Sequence, residues 1–207
     1  IKVFGFISGD FGFDFPQYEN IRFFRLNGFK SRFGENNYGF PAILSDQFKI
    51  LFKKHNIQIH KKPLKPNISF CGHATNSKLV YFNQTFNFYK ENLKRFIINP
   101  LKNDYEVVFQ SAYYRYKILK QLKNNNSLET DFIFREKYRG GAKNSNTRTK
   151  TTLEYYNNMI NSNYVLCLRG TGNFSIRFYE ALMMGKIPIF INTDCILPFS
   201  KKINRKD

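Results

Sequence analysis

The sequence has no tryptophan, only three cysteines and only 15 acidic residues in 207. Cys71, Cys167 and Cys195 are far apart, odd in number and set in apolar runs. No C-x-x-C pair or other metal-ligand spacing occurs, so the thiols read as buried and reduced, as in a reducing compartment. No apolar run approaches the ~20 residues that span a bilayer, and no secretory signal is visible. The sequons at Asn67, Asn83, Asn125 and Asn173 therefore read as chance matches. An initiator methionine is also lacking. The chain opens at Ile1 inside a strand-like run and closes on the charged run 201–207, so it reads as a fragment of a longer protein. Internal repeats are absent.

Basic residues dominate. The 33 Lys and Arg give a net charge of +18, which points to anionic partners such as nucleic acid, acidic lipid or phosphorylated small molecules. The lysines are scattered (Lys53, Lys54, Lys61, Lys62 and Lys65, then Lys201 and Lys202), which is the pattern of a solvated face. Aromatics make up 18% of the chain, with 24 Phe and 13 Tyr. Lys, Asn, Ile, Phe and Tyr are abundant together, as AT-rich coding alone would produce, so composition carries no functional signal.

Along the chain, residues 1–9 and 21–26 read as strands, and 45–54 as a short helix after a turn at Pro41. The stretch HKKPLKP is an extended, solvated linker, which places a domain boundary near residues 60–66. The pattern then becomes α/β. Strands are expected at 67–71, 105–110, 130–135, 164–168 and 187–191, and helices at 78–98, 113–123, 151–161 and 174–184. A flexible loop is expected at 140–146. In 78–98 the residues Phe82, Phe86, Tyr89, Leu93 and Phe96 recur every three or four positions, as on the apolar face of a helix. Strands alternating with helices imply a parallel sheet covered on both faces.

Residues 164–191 carry the chemistry. An apolar strand runs into Arg169-Gly170-Thr171-Gly172-Asn173, a helix follows, and Gly185-Lys186 leads to a second apolar strand. Such a βαβ turn sets a helix N-terminus at the carboxyl edge of the sheet, where free N–H groups and the helix dipole favour a phosphate. Gly170 and Gly172 allow close backbone approach, and Thr171 and Ser175 offer hydroxyls. Arg169 adds a charged fork. The third glycine of G-x-G-x-x-G is missing and Asp194 lies too late, so a nicotinamide cofactor is not indicated. At ~100° per residue the helix is apolar nearly all round except for Arg177 and Glu180, which share one face. That charged stripe on a buried helix needs a partner or a ligand, and mutual pairing is the competing reading.

The run RGTGNFSIRFYEALMMGKIPIFINTDCILPF closely resembles the C-terminal signature of exostosin-like (GT47-type) glycosyltransferases, especially bacterial members. The dense resemblance covers about 35 residues. A looser one takes in NISFCGHA, TDFIFREKYRGG and YYNNMINSNYVLCLRG. It implies an α/β, GT-B fold: a Rossmann-like donor-binding domain (63–207) preceded by a remnant of the acceptor-side domain (1–62). It also implies transfer of a sugar from a nucleotide sugar, UDP-linked by expectation, to a hydroxyl on a glycan or lipid-linked acceptor, with inversion and without a metal or cofactor, in glycan or polysaccharide synthesis. Carried onto this sequence, Arg169 and Arg177 contact the diphosphate, Ser175 and the helix N-terminus assist, and Glu180 accepts from the ribose hydroxyls. Gly72, His73 and Arg135 face the cleft. Without a metal, arginines and a helix dipole stabilise the leaving diphosphate.

Inversion needs a general base. Asp10, after the first strand, and His73 are the candidates, with Asp14, Glu19, Glu35 and Asp46 behind them. A basic nucleic-acid-binding domain, a donor-binding fragment without activity and a fucosyltransferase-like enzyme are the competing readings. The first predicts aromatics interleaved with Arg or Lys on an exposed sheet. The expected location is the cytoplasm or the cytoplasmic membrane face with peripheral contact, or a Golgi-type membrane in a eukaryote.

Overall fold

The computed structural model describes residues 3–15, 18–53, 63–101 and 104–199. Residues 60–62 of the expected linker and the charged run at 201–207 lie outside the described residues. The chain folds as α/β with two all-parallel sheets, a Rossmann-like arrangement. The first sheet holds β1 (Val3–Ile7), β2 (Ile21–Arg25) and β3 (Asn37–Gly39) in that order. The second holds β4 (Asn67–His73), β5 (Glu129–Arg135), β6 (Tyr164–Cys167) and β7 (Ile187–Phe190) in the order β5-β4-β6-β7.

Side chains alternate across β6 with the period of two that a strand imposes. Val165 and Cys167 enter one core with Tyr156, Met159, Ala181 and Met184. Leu166 and Leu168 enter the other with Ile68, Phe70 and Leu119. Helices α4 (Ser145–Ile160) and α5 (Ile176–Met183) therefore cover one face, and α3 (Ser111–Lys123) the other. Helix α1 (Gln47–Phe52) contributes Phe48 to the first of these cores, so it packs with the second sheet although it precedes the expected boundary.

Helix α4 begins six residues before its expected start because Asn144 and Thr147 form a reciprocal capping box. The expected loop at 140–146 is partly a short turn, Tyr138–Gly141, with Arg139 and Gly140 in left-handed backbone. The expected strand at 105–110 does not form. Within that segment, Asn92 of helix α2 (Lys78–Ile98) takes the place of a neighbouring strand, accepting from the Glu106 N–H at 2.8 Å and donating to the Glu106 carbonyl at 3.0 Å. Helix α2 has the expected bounds but not the expected facing. Phe82, Phe86, Tyr89, Leu93 and Phe96 all point to solvent.

The two sheets are joined through polar groups. Asn27 accepts from the Asn173 N–H at 2.5 Å, and the Asn173 amide donates to the carbonyls of Gly28 and Asp194. The Asp194 carboxylate accepts from Ser31, and Phe29 bridges to Cys195. Asn173 is 1% exposed, so its sequon is sealed inside this junction.

Candidate functional site

Strands β4 and β6 are neighbours, yet the chain leaves them in opposite directions. From β4 it reaches β5 at one edge, and from β6 it reaches β7 at the other. The crevice between their carboxyl ends is thus a topological switch point, where open parallel sheets bind ligands. A cavity of about 760 Å³ lies there, within the range of small-molecule sites. Its lining includes Gly72 and His73, the last residues of β4, which runs two residues beyond its expected end, with Gly170 to Gly172 after β6, Ser175 at the N-cap of α5, and Arg177 and Glu180 from that helix. Asp10, Arg135 and Arg115 complete its charged groups together with Arg139.

Arg177 is buried at the cavity wall. It donates to the Cys71 carbonyl at 2.7 Å and to the Tyr155 hydroxyl at 3.2 Å, with its guanidinium 4.0 Å from the centre of the Phe70 ring. Gly72 is required for this packing, since a Cβ there would stand 2.8 Å from an Arg177 Nη. The two stripe residues do not pair directly. Tyr155 accepts from Arg177 and donates to Glu180 at 2.5 Å, while Tyr156 donates to the other Glu180 oxygen at 3.1 Å. Burial opposes the Arg177 charge, but Tyr155, Cys167 and Glu180 more than offset it and the net shift is upward. Burial also holds the Tyr155 hydroxyl well above its ordinary range, so it stays a donor to Glu180.

Sequence reasoning missed Arg115. It extends from α3 and donates to the carbonyls of Arg169 at 3.1 Å and of His73 and Leu168 at 3.4 Å. It thereby links the ends of β4 and β6. Burial and the nearby Arg177 push its guanidinium down to about 9. Two cations therefore face one cavity and oppose each other, and a bound anion would relieve both. No motif marks Arg115. The available signal is a lone arginine within the aromatic run SAYYRYK that opens α3.

Arg169, expected at the diphosphate, sits behind the glycine turn. Its guanidinium packs 4.1 Å from the Phe109 ring centre and 5.5 Å from that of Phe29, its Nη2 donates to the Thr171 carbonyl at 3.2 Å, and it is not among the cavity-lining groups. It braces the glycine turn from behind. Gly172 is held close on that turn, where a Cβ would meet the Asp10 carbonyl at 2.7 Å. Ser175 is the N-cap residue of α5, but its hydroxyl caps no helix N–H. Helix α5 is also less buried than its composition suggests, since Ile176 and Leu182 are about half exposed. Arg135 lines the cavity with its charge engaged by Glu154 at 2.6 Å.

Asp10 is exposed at the cavity. His73 is half-buried there, and its Nε2 is buried without a hydrogen-bond partner. Burial, then Arg115, lowers its pKa below the ordinary value of 6.5. Between that value and the lower folded one, the unfolded chain binds more protons, so His73 makes stability fall as pH drops through this window. Replacing His73 by Gln should therefore flatten the acid side of the stability profile between pH 6.5 and the folded pKa, as read by urea titrations across that range.

Residues 77–207, more than half of the chain, match the family model described as the Exostosin GT47 domain. No curated protein matches the chain.

Proposed function

This chain belongs to the exostosin GT47 family of glycosyltransferases, and we propose that its switch-point cavity holds the diphosphate of a nucleotide-sugar donor whose sugar passes to an acceptor hydroxyl. The observation that carries this reading is the pair Arg115 and Arg177. Both face the cavity, and neither makes an ion pair with a carboxylate among the described residues. They stand beside the N-terminus of α5 and a turn whose glycines permit close approach. As the bond to the sugar breaks, negative charge grows on the departing diphosphate. Preorganised guanidiniums and helix amides are suited to that charge, as metal-independent transfer requires.

The remaining roles follow from position. Glu180, oriented by two tyrosine hydroxyls, accepts from the ribose hydroxyls. Ser175 and the 170–172 turn contact phosphate oxygens. Inversion at the sugar requires a base for the acceptor hydroxyl. His73 suits that role better than Asp10, because its lowered pKa keeps it neutral with Nε2 unpaired. In this reading residues 63–207 form the donor-binding unit, and 1–62 belong to the acceptor side. The expected donor is UDP-linked, and the product is a glycan or a lipid-linked glycan.

A panel of UDP- and GDP-linked sugars, followed by ligand-observed NMR and by mass spectrometry of added acceptors, tests the proposal. Selective binding of one nucleotide series with sugar transfer is expected. Failure of every nucleotide sugar to bind would contradict it.

A further inference from the structure

Helix α2 is oriented against the usual rule for a free-standing domain. Its inward face is largely polar. Gln84 bonds to Ser111 and Ala112, Asn92 to Glu106, and Arg95 to Glu106, with Phe88 the one buried aromatic of the helix. Its outward face carries Phe82, Phe86, Tyr89, Leu93 and Phe96, each at least half exposed. At ~100° per residue these five fall in a single narrow stripe. Four aromatics and a leucine, at 150–250 Å² per aromatic side chain, present on the order of 600 Å². Leu79 and Ile97 extend the stripe at its ends, taking it beyond the largest patch of a typical monomer, ~300–600 Å².

The charges around the stripe select its occupant. Lys90 and Lys94 flank one side and Lys78 the other, while the helix's one acid, Glu91, is turned inward to Arg95 at 3.4 Å. We propose that this face of α2 seats on an anionic lipid surface, with its aromatics in the headgroup boundary and its lysines on the acidic headgroups. A second copy of the chain would bring the same lysines against one another, whereas anionic lipid complements them and the chain's +18 charge. No helix among the described residues is long and apolar enough to cross a membrane, which agrees with a helix that lies in the interface plane. Gln84, on the opposite side of the same helix, lines the cavity. The cavity therefore stands about one helix diameter, ~10 Å, from the seated surface. That placement suits an acceptor carried on lipid, although the docking itself does not depend on donor binding.

Sedimentation of the 207-residue chain with phosphatidylcholine vesicles, with and without phosphatidylglycerol, tests the docking. Binding is expected only with the anionic lipid and should weaken as salt rises. The exposed double variant Phe82→Ser/Phe86→Ser should lose at least about tenfold in partitioning, by the buried-area rule. Lys90→Glu/Lys94→Glu should lose a comparable amount, at about fivefold per basic residue near the leaflet. Both variants should keep the wild-type circular dichroism, and Arg177→Met should bind vesicles as wild type does. Equal binding to both vesicle types, or unchanged binding by the folded variants, would overturn the proposal. So would absence of vesicle binding together with a dimer that the Phe82→Ser/Phe86→Ser variant dissociates.

Discussion

Replacing Arg177 with methionine should weaken nucleoside-diphosphate binding by about 1.5–3 kcal/mol, or roughly 10- to 150-fold, while the chain stays folded. Methionine keeps much of the contact with Phe70 and removes the charged fork. The Tyr155–Glu180 bond survives, because Tyr155 donates to Glu180 independently of Arg177. Lysine should not rescue binding, since its ammonium cannot lie flat across the Phe70 ring while also reaching the Cys71 carbonyl. Gly72→Ala provides a geometric counterpart. It leaves the charge in place but sets a methyl 2.8 Å from an Arg177 Nη, so the guanidinium must move. Titration calorimetry should show weakened binding in Arg177→Met, Arg177→Lys and Gly72→Ala alike. Loss in Arg177→Met alone would mean that charge matters and placement does not.

The second large effect concerns stability. Arg95→Ala should destabilise the fold by about 3–5 kcal/mol, the range for breaking a buried ion pair from one side. Arg95 meets Glu106 at 3.1 Å, Glu91 at 3.4 Å and Asp104 at 3.9 Å. It also donates to the carbonyls of Gly12 and Asp104. Glu106 in turn accepts from the Gly12 N–H at 2.6 Å. One guanidinium therefore ties α2 to the loop after β1 and to the 104–106 segment. Its loss leaves the Glu106 carboxylate buried and uncompensated. Burial raises the Glu106 pKa even with Arg95 present, so the folded state binds a proton more readily than the unfolded chain. The associated stability is present below the ordinary carboxylate value and is lost as pH rises through the folded one. The deficit of the Arg95→Ala variant should therefore shrink on acidification, and adding Glu106→Gln should recover part of it at neutral pH. Chemical denaturation at two pH values checks both points. A deficit independent of pH would show that the lost packing, not the stranded charge, is responsible.

The sequence was most legible where local pattern and tertiary role coincide. The β6–α5–β7 unit lay close to its expected bounds because an apolar strand, a glycine turn and an amphipathic helix are all local signals. Arg169 in the same unit shows where local pattern stops. Its place beside the glycine turn suggests a phosphate contact, but direction is set by Phe29 and Phe109, which arrive from distant segments. Arg115 was invisible for a related reason, since its role depends on three carbonyls brought together by β4 and β6. In α2 the period fixed the helix and the stripe but not which side faces the protein. Apolar spacing looks the same whether a core or a membrane covers it. The strand expected at 105–110 is absent, and the Glu106 backbone that a ladder would pair is bonded by Asn92 of α2 instead.

The central claim is that the switch-point cavity is a nucleoside-diphosphate site built on Arg115 and Arg177. Calorimetric titration of the chain with UDP and GDP at low and moderate salt, beside the Arg115→Met/Arg177→Met variant, tests it most directly. The account predicts saturable one-to-one binding of at least one nucleotide, a modest salt dependence, and its loss in the folded double variant. Absence of saturable binding for both nucleotides, or equal binding by the double variant, would contradict it.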